Sequence, residues 1–505
     1  MLHMSAFILN QFKSLTRLQQ FFLVFVIYFI GFWIFQCIYL IQYPIPTEYR
    51  DWGSIDLSNA LYGQSSPYSF SAGPPFFYIY GLVVPLLTGG LSSVLHIDLF
   101  LLTKVFICVC ILLTAFVIAS EIFDLSGQLF PAILGFAATL WTGSATNAVF
   151  ILNPASCGLL IVLLILAKIR KSQSFSSILV AALGTVLAFY TKQYFVYIVA
   201  PIFLFLLTSS GIKKALTYGL LFLGLLALST LLISRFFPAY FYATILAQFY
   251  AVGGGWGHAR TQLILFFNQN WPLIILLFIY LWRRVEKQIS YNPGENLYLL
   301  VLLIAALCLI PLGRNTGSFL SYYYQLALPA LIVIGLISLS RLRSKAAGTF
   351  FITGILVFSI FHGELVSFRT IYSEQALQKW ISAKQIIADI QGPKLISTPI
   401  LAPVMGDAIL LDNGHTECYI GLDTPSALLD SLFPRRHGYF SAFKTYFDGI
   451  DSQIANKNFK LIATTKDFHP MIPQSILEAN YFKLKTIDLQ TGGQTWMTEF
   501  WVPKD

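Results

Sequence analysis

Charge is scarce in this chain of 505 residues. Only 11% of positions are Asp, Glu, Lys or Arg, against about 25% in soluble proteins. Together with 56% hydrophobic residues and a mean hydropathy of +0.71, that scarcity excludes a soluble enzyme and a disordered chain. A fibrous repeat is excluded as well, because no period of roughly 20–50 residues recurs and no low-complexity tract is present. A disulfide framework is also missing. Cys37, Cys108, Cys110, Cys157 and Cys308 lie in apolar runs, and Cys418 alone lies in the polar C-terminal part, so no bridge can close within that part.

Several catalytic signatures are absent too. There is no nucleotide-phosphate loop, no HExxH zinc motif and no serine elbow. No Asp-x-Asp that could hold a nucleotide-sugar metal occurs, since Asp448 and Asp451 are too widely spaced. The chain is therefore not expected to use a cytosolic nucleotide directly, which fits a reaction on the outer face of a membrane. No Asn-x-Ser/Thr acceptor occurs, which favours a bacterial plasma membrane over a secretory one. The first apolar run, Phe21 to Ile41, lacks a small-residue cleavage site and is too long for a signal-peptide core, so it reads as a signal anchor.

What is present is a polytopic α-helical membrane protein. Residues 1–368 are apolar runs with short connections, and residues 369–505 are ordinary globular sequence. Aromatics reach 16%, which suits lipid-facing helices and interfacial belts. The net charge is +9. Its Lys and Arg sit in short clusters between apolar runs, so they orient the chain in the bilayer and do not signal nucleic acid.

Parity then sets the topology. The clusters are Lys13/Arg17, Lys168/Arg170/Lys171, Lys213/Lys214, Arg283/Arg284/Lys287 and Arg341/Arg343/Lys345. If all are cytoplasmic, an even number of spans separates neighbours. Candidates 20–42, 76–95, 97–119, 128–145 and 154–169 lie between the first two clusters, so one does not cross. The segment 76–95, rich in Pro and Gly, is expected to lie along the outer surface. The apolar stretch between Lys171 and Lys213 is too long for one span and reads as two short helices meeting at Thr191-Lys192-Gln193. Spans at 215–234, 264–282, 296–312, 322–340 and 347–367 complete about eleven. The N-terminus is then cytoplasmic and the C-terminal domain extracytoplasmic.

The external segments hold the reactive side chains. Glu48, Arg50, Asp51 and Asp56 cluster after the first span, followed by helical character from Ser54 or Ile55 to Tyr62. A carboxylate there can serve as general base for a hydroxyl if a pocket covers it. Lys192, at the tip of two short helices, can face the protein interior and meet an anionic lipid head group. The loop 235–262 carries Gly253-Gly254-Gly255-Trp256-Gly257-His258-Ala259-Arg260. Its glycines suggest a mobile backbone, and His258 and Arg260 are phosphate donors that could order over a substrate. The next external turn offers Arg314, a fork-shaped donor, with Tyr322, Tyr323 and Tyr324.

In order and placement these segments resemble the GT-C superfamily of integral-membrane glycosyltransferases, and within it the polyprenyl- or dolichyl-phosphate-sugar-dependent mannosyl- and aminoarabinose-transferase-like proteins. The residues that carry the resemblance are Glu48-Tyr49-Arg50-Asp51-Trp52 with Leu61 to Tyr68 and Pro74 to Gly81; Tyr190-Thr191-Lys192-Gln193; and Gly317-Ser318 to Tyr323-Tyr324-Gln325 with Pro329. The chain departs from the family pattern at Asn153-Pro154, where an Asp is frequent, and at Gln325, where a Glu is usual. Neither departure favours a bound metal. No metal ligand is assigned, and a divalent cation such as Mg or Mn has no support in the sequence.

The resemblance implies a GT-C-like fold with outer-face juxtamembrane helices in the first loop. It also implies an inverting displacement in which a first-loop Asp deprotonates the acceptor and the lipid phosphate leaves. Carried over, Asp51 is the base, with Glu48 as competitor or second acid. Lys192, Arg260 and Arg314 would neutralise the leaving phosphate, with His258, Tyr322 and Tyr323 beside it. The donor would be a polyprenyl-phosphate sugar, and the acceptor an envelope glycan, a lipid or a protein. Two rival readings are a lipid-linked glycan polymerase or ligase, which calls for more loop arginines than Arg235 and Arg260, and a transporter or flippase, which calls for ionisable residues within spans.

The C-terminal part is expected to form a small mixed α/β domain, with a helix over 370–390 and strands at Lys394–Ser397, Ala408–Leu411, Lys460–Ala463 and Phe482–Lys485. His415, Glu417 and Cys418 match no standard metal spacing.

Overall fold

In the computed structural model the described residues are 15–42, 51–63, 67–68, 78–145, 154–246, 255–288, 292–312, 326–342, 354, 374–397, 399–406, 408–411, 419, 422–423, 426–465, 472–491 and 494–504. The membrane part comprises α1 (Arg17–Gln42), α2 (Asp51–Tyr62), α3 (Val83–Leu95), α4 (Leu99–Ser126), α5 (Leu129–Ala145), α6 (Ala155–Lys171), α7 (Phe175–Phe189), α8 (Val199–Ser210), α9 (Ile212–Phe236), α10 (Gly255–Val285), α11 (Pro293–Leu312) and α12 (Leu328–Ser340). A 3₁₀ segment, Gln193–Ile198, leads into α8, and a π turn, Tyr242–Leu246, follows α9.

Among the described residues four helical stretches are long and apolar enough to cross a bilayer, Gln19–Tyr39, Leu99–Ser126, Gln193–Ser210 and Ile212–Phe236, and a fifth if α10 is one broken span. The proposed last span, 347–367, lies outside the described residues apart from Gly354. Helix α12 is apolar all round and buried from Leu328 to Leu339, the signature of a central core helix. Helix α9 is the opposite case: Leu220, Leu231 and Phe236 are more than two-thirds exposed, as suits a helix whose solvent is lipid.

Local signals explain the helix ends. The Asp98 carboxylate accepts from the Leu101 N–H and caps α4, which stops at Gly127 in the left-handed region. Ser174 caps α7 in the same way. Helix α3 holds 13 residues, or about 20 Å of rise, against a hydrocarbon core of about 30 Å. It packs along α2: Ser58 Oγ donates to the Pro85 carbonyl and Tyr62 Oη to that of Leu86. The apolar stretch after Lys171 does divide into two short helical segments, α7 and the 3₁₀–α8 run, joined at Tyr190-Thr191-Lys192.

One expectation is corrected. Gly255 to Arg260 is not loop: these residues form the first turns of α10, which begins at Gly255 with a φ of 71°. The helix therefore starts earlier than the span expected at 264–282. It bends by 79° between Asn268 and Asn270. Pro272 lies just beyond the bend. It has no N–H for the Asn268 carbonyl and its ring crowds that position, which breaks the helix there.

Three of the five basic clusters meet at one end of the bundle. Arg170 on α6 donates from Nε and Nη2 to the buried Glu121 on α4 (2.5 and 2.8 Å), which also accepts from Tyr298 on α11 at 2.7 Å. Lys171 pairs with Asp124 at 2.6 Å. Arg341, after α12, pairs with the buried Glu295 of α11, which accepts from Tyr280 of α10 at 2.6 Å. Arg283 donates to the Arg341 carbonyl at 2.6 Å. Glu121, Asp124 and Glu295 complete these clusters, and the sequence reading did not single them out.

The C-terminal part contains α13 (Glu374–Asp389), β1 (Lys394–Ile396), β2 (Ile409–Leu410), α14 (Ala427–Leu432), α15 (Arg436–Ala455), β3 (Leu461–Thr465), α16 (Gln474–Asn480), β4 (Tyr481–Thr491) and β5 (Gln494–Pro503). The five strands form one mixed sheet in the order β2-β1-β3-β5-β4. β1 pairs in parallel with β2 and β3, and β5 pairs antiparallel with β3 and β4. The alternation of β3 sorts two layers. Leu461 and Ala463 join Trp380, Ala383 and Ile387 of α13. Ile462 joins Phe443, Phe447, Ile450 and Ile454 of α15 in a cluster continuous with the membrane core. Strand β5 and helix α15 were not anticipated.

Candidate functional site

The end opposite Arg170, Glu295 and Arg341 is assembled from the first loop, the turn after α7, the segment after α9 and the C-terminal part. Two backbone hydrogen bonds join the first two. The Gly81 N–H donates to the Thr191 carbonyl at 3.3 Å and the Val83 N–H to that of Tyr190 at 3.1 Å. Gln193 Nε2 adds a bond to the Ile79 carbonyl at 3.0 Å. Gly81 is required here, because a Cβ would be driven into the Tyr190 carbonyl.

Lys192 is buried at this junction, 3% exposed. Its Nζ lies 4.2 Å from the Tyr80 ring centroid and 5.3 Å from that of Tyr194. A desolvated cation gains about 2 kcal/mol or more over an aromatic face. Insertion scales charge roughly 2.5–3.5 kcal/mol for a lysine at mid-membrane. The two rings thus offset much of the cost of holding an ammonium here, where it adds positive potential to the site.

Tyrosines surround this point. The Tyr68 hydroxyl donates to the Tyr78 carbonyl at 3.0 Å, and its ring packs edge-on against Tyr240 at 5.2 Å. The Ala239 N–H donates to the Tyr68 carbonyl at 2.8 Å. Tyr68 holds a φ of 59°, a conformation that costs a non-glycine residue of order 1 kcal/mol or more and that this buried setting fixes. Burial raises its hydroxyl pKa well above the usual value, and Tyr240, Tyr78, Tyr439 and Asp56 add to the effect.

The C-terminal part covers this end. Residues Pro399–Val404 rest on α2. Tyr242, in the turn after α9, packs against Phe433 at 5.3 Å and Tyr439 at 6.3 Å, and its hydroxyl accepts from the Arg435 N–H at 3.3 Å.

A second neighbourhood lies between α10, α11 and α12. It is an apolar groove of about 470 Å³, lined by Trp256, Leu263, Phe267, Leu302 and Leu331 among others, with Arg260 as its charged residue. Arg260 is exposed and His258 half-buried. The His258 Nε2 is enclosed and has no hydrogen-bond partner among the described residues. The start of α12 links the two neighbourhoods. Ala327 and Leu331 line the groove, and the Leu326 carbonyl accepts from Tyr197, five residues after Lys192, at 3.3 Å.

The proposed site residues are thus placed unevenly. Lys192 lies at the junction, and His258 and Arg260 lie on the first turns of α10 beside the groove. Asp51 is the first residue of α2, and nothing is described of its side chain. Glu48, Arg314, Tyr322 and Tyr323 lie outside the described residues. Lys104 was missed. It is 6% exposed, near the start of α4. Its Nζ sits 4.2 Å from the Phe100 ring, which packs against Trp52, the neighbour of Asp51, at 6.2 Å. Its signal was a lone cation inside the run 97–119. Among the described residues no group of three or more His, Cys, Asp or Glu side chains could hold a metal ion.

No protein-family model matches the chain, and no curated protein matches it. Solved structures do. ArnT from Cupriavidus metallidurans, bound to undecaprenyl phosphate, superposes with a TM-score of 0.56 at 10% identity, covering 94% of this chain and 97% of that one. Its apo state gives the same values. The arabinofuranosyltransferase AftD from Mycobacteria gives a TM-score of 0.50 at 11% identity, over 97% of this chain and 40% of that one. These likenesses extend over nearly the whole chain and bear on its fold.

Proposed function

Starting from a chain with the fold of GT-C integral-membrane glycosyltransferases, we propose that it transfers a sugar from a polyprenyl-phosphate donor to an extracytoplasmic acceptor by inverting displacement. The observation that carries this reading is a buried ammonium at the first-loop junction, linked through Tyr197 and the start of α12 to an apolar groove. Lys192 sits where the first loop docks, and the groove beside Arg260 has the lining a prenyl chain needs. Charge at one place and grease at the next is the chemistry of a lipid phosphate.

In this mechanism the Asp51 carboxylate takes the proton of an acceptor hydroxyl, and Glu48 is the alternative base. The acceptor oxygen attacks the anomeric carbon. The bond from that carbon to the phosphate oxygen breaks, and the phosphate leaves with the electron pair. Lys192, Arg260 and Arg314 counter the charge that grows on it, with His258, Tyr322 and Tyr323 as further donors. Lys104 adds a fourth cation below the start of α2. The C-terminal part closes the site from the acceptor side. On this reading the membrane is a bacterial plasma membrane, with the site and residues 369–505 outside, the N-terminus in the cytoplasm and eleven spans between.

The test is a deletion strain complemented with wild type or Asp51→Asn, scored for lipid-phosphate sugars and envelope glycan composition. The variant is expected in the membrane at normal level, with one sugar missing from the glycan and one polyprenyl-phosphate sugar accumulating. Wild-type behaviour of Asp51→Asn removes Asp51 from the role of base.

A further inference from the structure

Helix α14 has an unusual surface. Leu428 and Leu432 are spaced one helical turn apart and so share a face. They are 68% and 62% exposed, and none of the helix's six residues is buried. Isolated exposed leucines need no explanation, but paired leucines on one face of a short helix ask what covers them.

The position of α14 supplies the answer. The residue that ends it, Phe433, packs on Tyr242, and the Arg435 N–H bonds the Tyr242 hydroxyl. Tyr242 lies six residues beyond Phe236, the last residue of α9. Among the described residues helix α9 is the least buried of the long apolar helices. Its outward side chains Leu228, Leu231, Leu232 and Phe236 run up to that same end at 52–72% exposure. The exposed stripe of α9 thus ends six residues before Tyr242, the residue on which the end of α14 packs. Beyond it the polar side chains gather: Arg436 is fixed by Asp430 at 2.7 Å and by the Leu422 carbonyl, and Asp430 also meets His437 at 3.0 Å. An apolar face next to a tyrosine that closely follows the end of an apolar, outward-facing helix, backed by charge, is the layout of an element that lies in the interface.

We propose that α14 inserts Leu428 and Leu432 into the acyl boundary of the leaflet next to the C-terminal domain, and so seats that domain on the membrane surface. The occupant is lipid. The domain is then held at two points, on Tyr242 from the protein and on α14 from the bilayer. This inference needs the chain to span a membrane and does not depend on the transferase reading.

The experiment uses the full chain in nanodiscs. Cysteines replace Leu428, Leu432, Ser431 and Phe236 singly in a Cys418→Ser background and carry an environment-sensitive fluorophore, with the parent protein as the labelling blank. All four positions are exposed, so the labels leave the core intact. Labels at 428 and 432 are expected to emit blue-shifted, to be quenched by lipids brominated near the head group as strongly as the label at 236, and to resist iodide. The label at 431 is expected to be quenched by iodide. If iodide quenches 428 and 432 as it does 431, the face is in water and the proposal fails. If neither quencher reaches them, a protein surface covers α14 and the proposal fails in favour of that partner.

Discussion

Gly81 and Tyr190 touch through their backbones. The Gly81 Cα lies against the Tyr190 carbonyl so closely that no side chain fits between them, while the Gly81 N–H reaches the next carbonyl, that of Thr191. This contact docks the first loop on the turn that carries Lys192. Gly81→Ala should separate them, costing about 3 kcal/mol, the upper range for a single substitution. Melting temperature and activity should fall together in detergent-solubilised protein. Gly224→Ala is the control, since nothing stands within 4 Å of its Cβ position. Equal melting of both variants would show that the junction is not tight.

Lys192 tests the charge at that junction. Lys192→Met keeps the length and apolar stem but removes the ammonium, and should lower turnover about 100-fold or more, as loss of one transition-state donor does. Lys192→Arg should recover only part, because a planar guanidinium stacks on Tyr80 and Tyr194 differently from an ammonium. The measurement is kcat on a polyprenyl-phosphate sugar with membrane yield as control. Unchanged kcat in the Met variant would remove Lys192 from catalysis.

Glu121 should matter for stability and not for chemistry. Glu121→Ala removes the buried one of the two carboxylates that hold Arg170, 12% exposed, at the far end from Lys192, and leaves the Asp124 pair at 2.8 Å. Removing a partner outright costs about 3–5 kcal/mol, and the remaining Asp124 pair puts the expected loss at the lower end of that range. Tyr298→Phe removes only the 2.7 Å hydroxyl bond and should cost about 1.5–3 kcal/mol, the range for bonds to charged groups. Thermal unfolding followed in detergent distinguishes the two. A larger loss from Tyr298→Phe than from Glu121→Ala would show that the ion pair is not the anchor.

Asp430 gives a pH dependence. The hydrogen bond from Arg436 holds its carboxyl below the usual carboxylate range, with His437 adding to the effect. A depressed folded pKa stabilises the folded state above the unfolded value of about 3.9. That contribution is lost as pH falls through the folded pKa. Packing of α14 and α15 should therefore loosen below about pH 4, and Asp430→Asn should flatten that acid limb. Protease sensitivity of the C-terminal part against pH is the readout, and an unchanged acid limb in the Asn variant would exclude Asp430 as its source.

Long apolar runs and basic clusters were legible in the sequence because hydropathy and charge are local. The short-helix pair around Lys192 followed from length alone. The glycines flanking Trp256 misled, since Gly255 and Gly257 suggested loop while the helix of the apolar run from Leu263 extends back through them. Strand β5 was hidden because its meaning lies in pairing with β3 and β4, not in its own pattern. Helix α15 carries an apolar stripe at helical spacing, Tyr439, Phe443, Phe447, Ile450 and Ile454, so the helix itself was readable; what was not is the set of partners that stripe meets, Tyr242 and the sheet. Glu121 and Glu295 were each visible as single charges, but their basic partners Arg170 and Arg341 lie outside their own helices. The part of the site that was readable was the part that is contiguous in sequence.

The bond between Tyr242 and Arg435 spans 193 residues, and that distance has a consequence for synthesis. Ribosomes extend chains at about 5–20 residues per second, so Tyr242 and the docked first loop wait about 10–40 s for their cover. During that interval the tyrosine cage stands open toward water and lipid. Whatever shields it then must come from the membrane or the insertion machinery. A chain arrested before residue 435 would leave the site assembled but unroofed, a state that crosslinking to translation intermediates can capture.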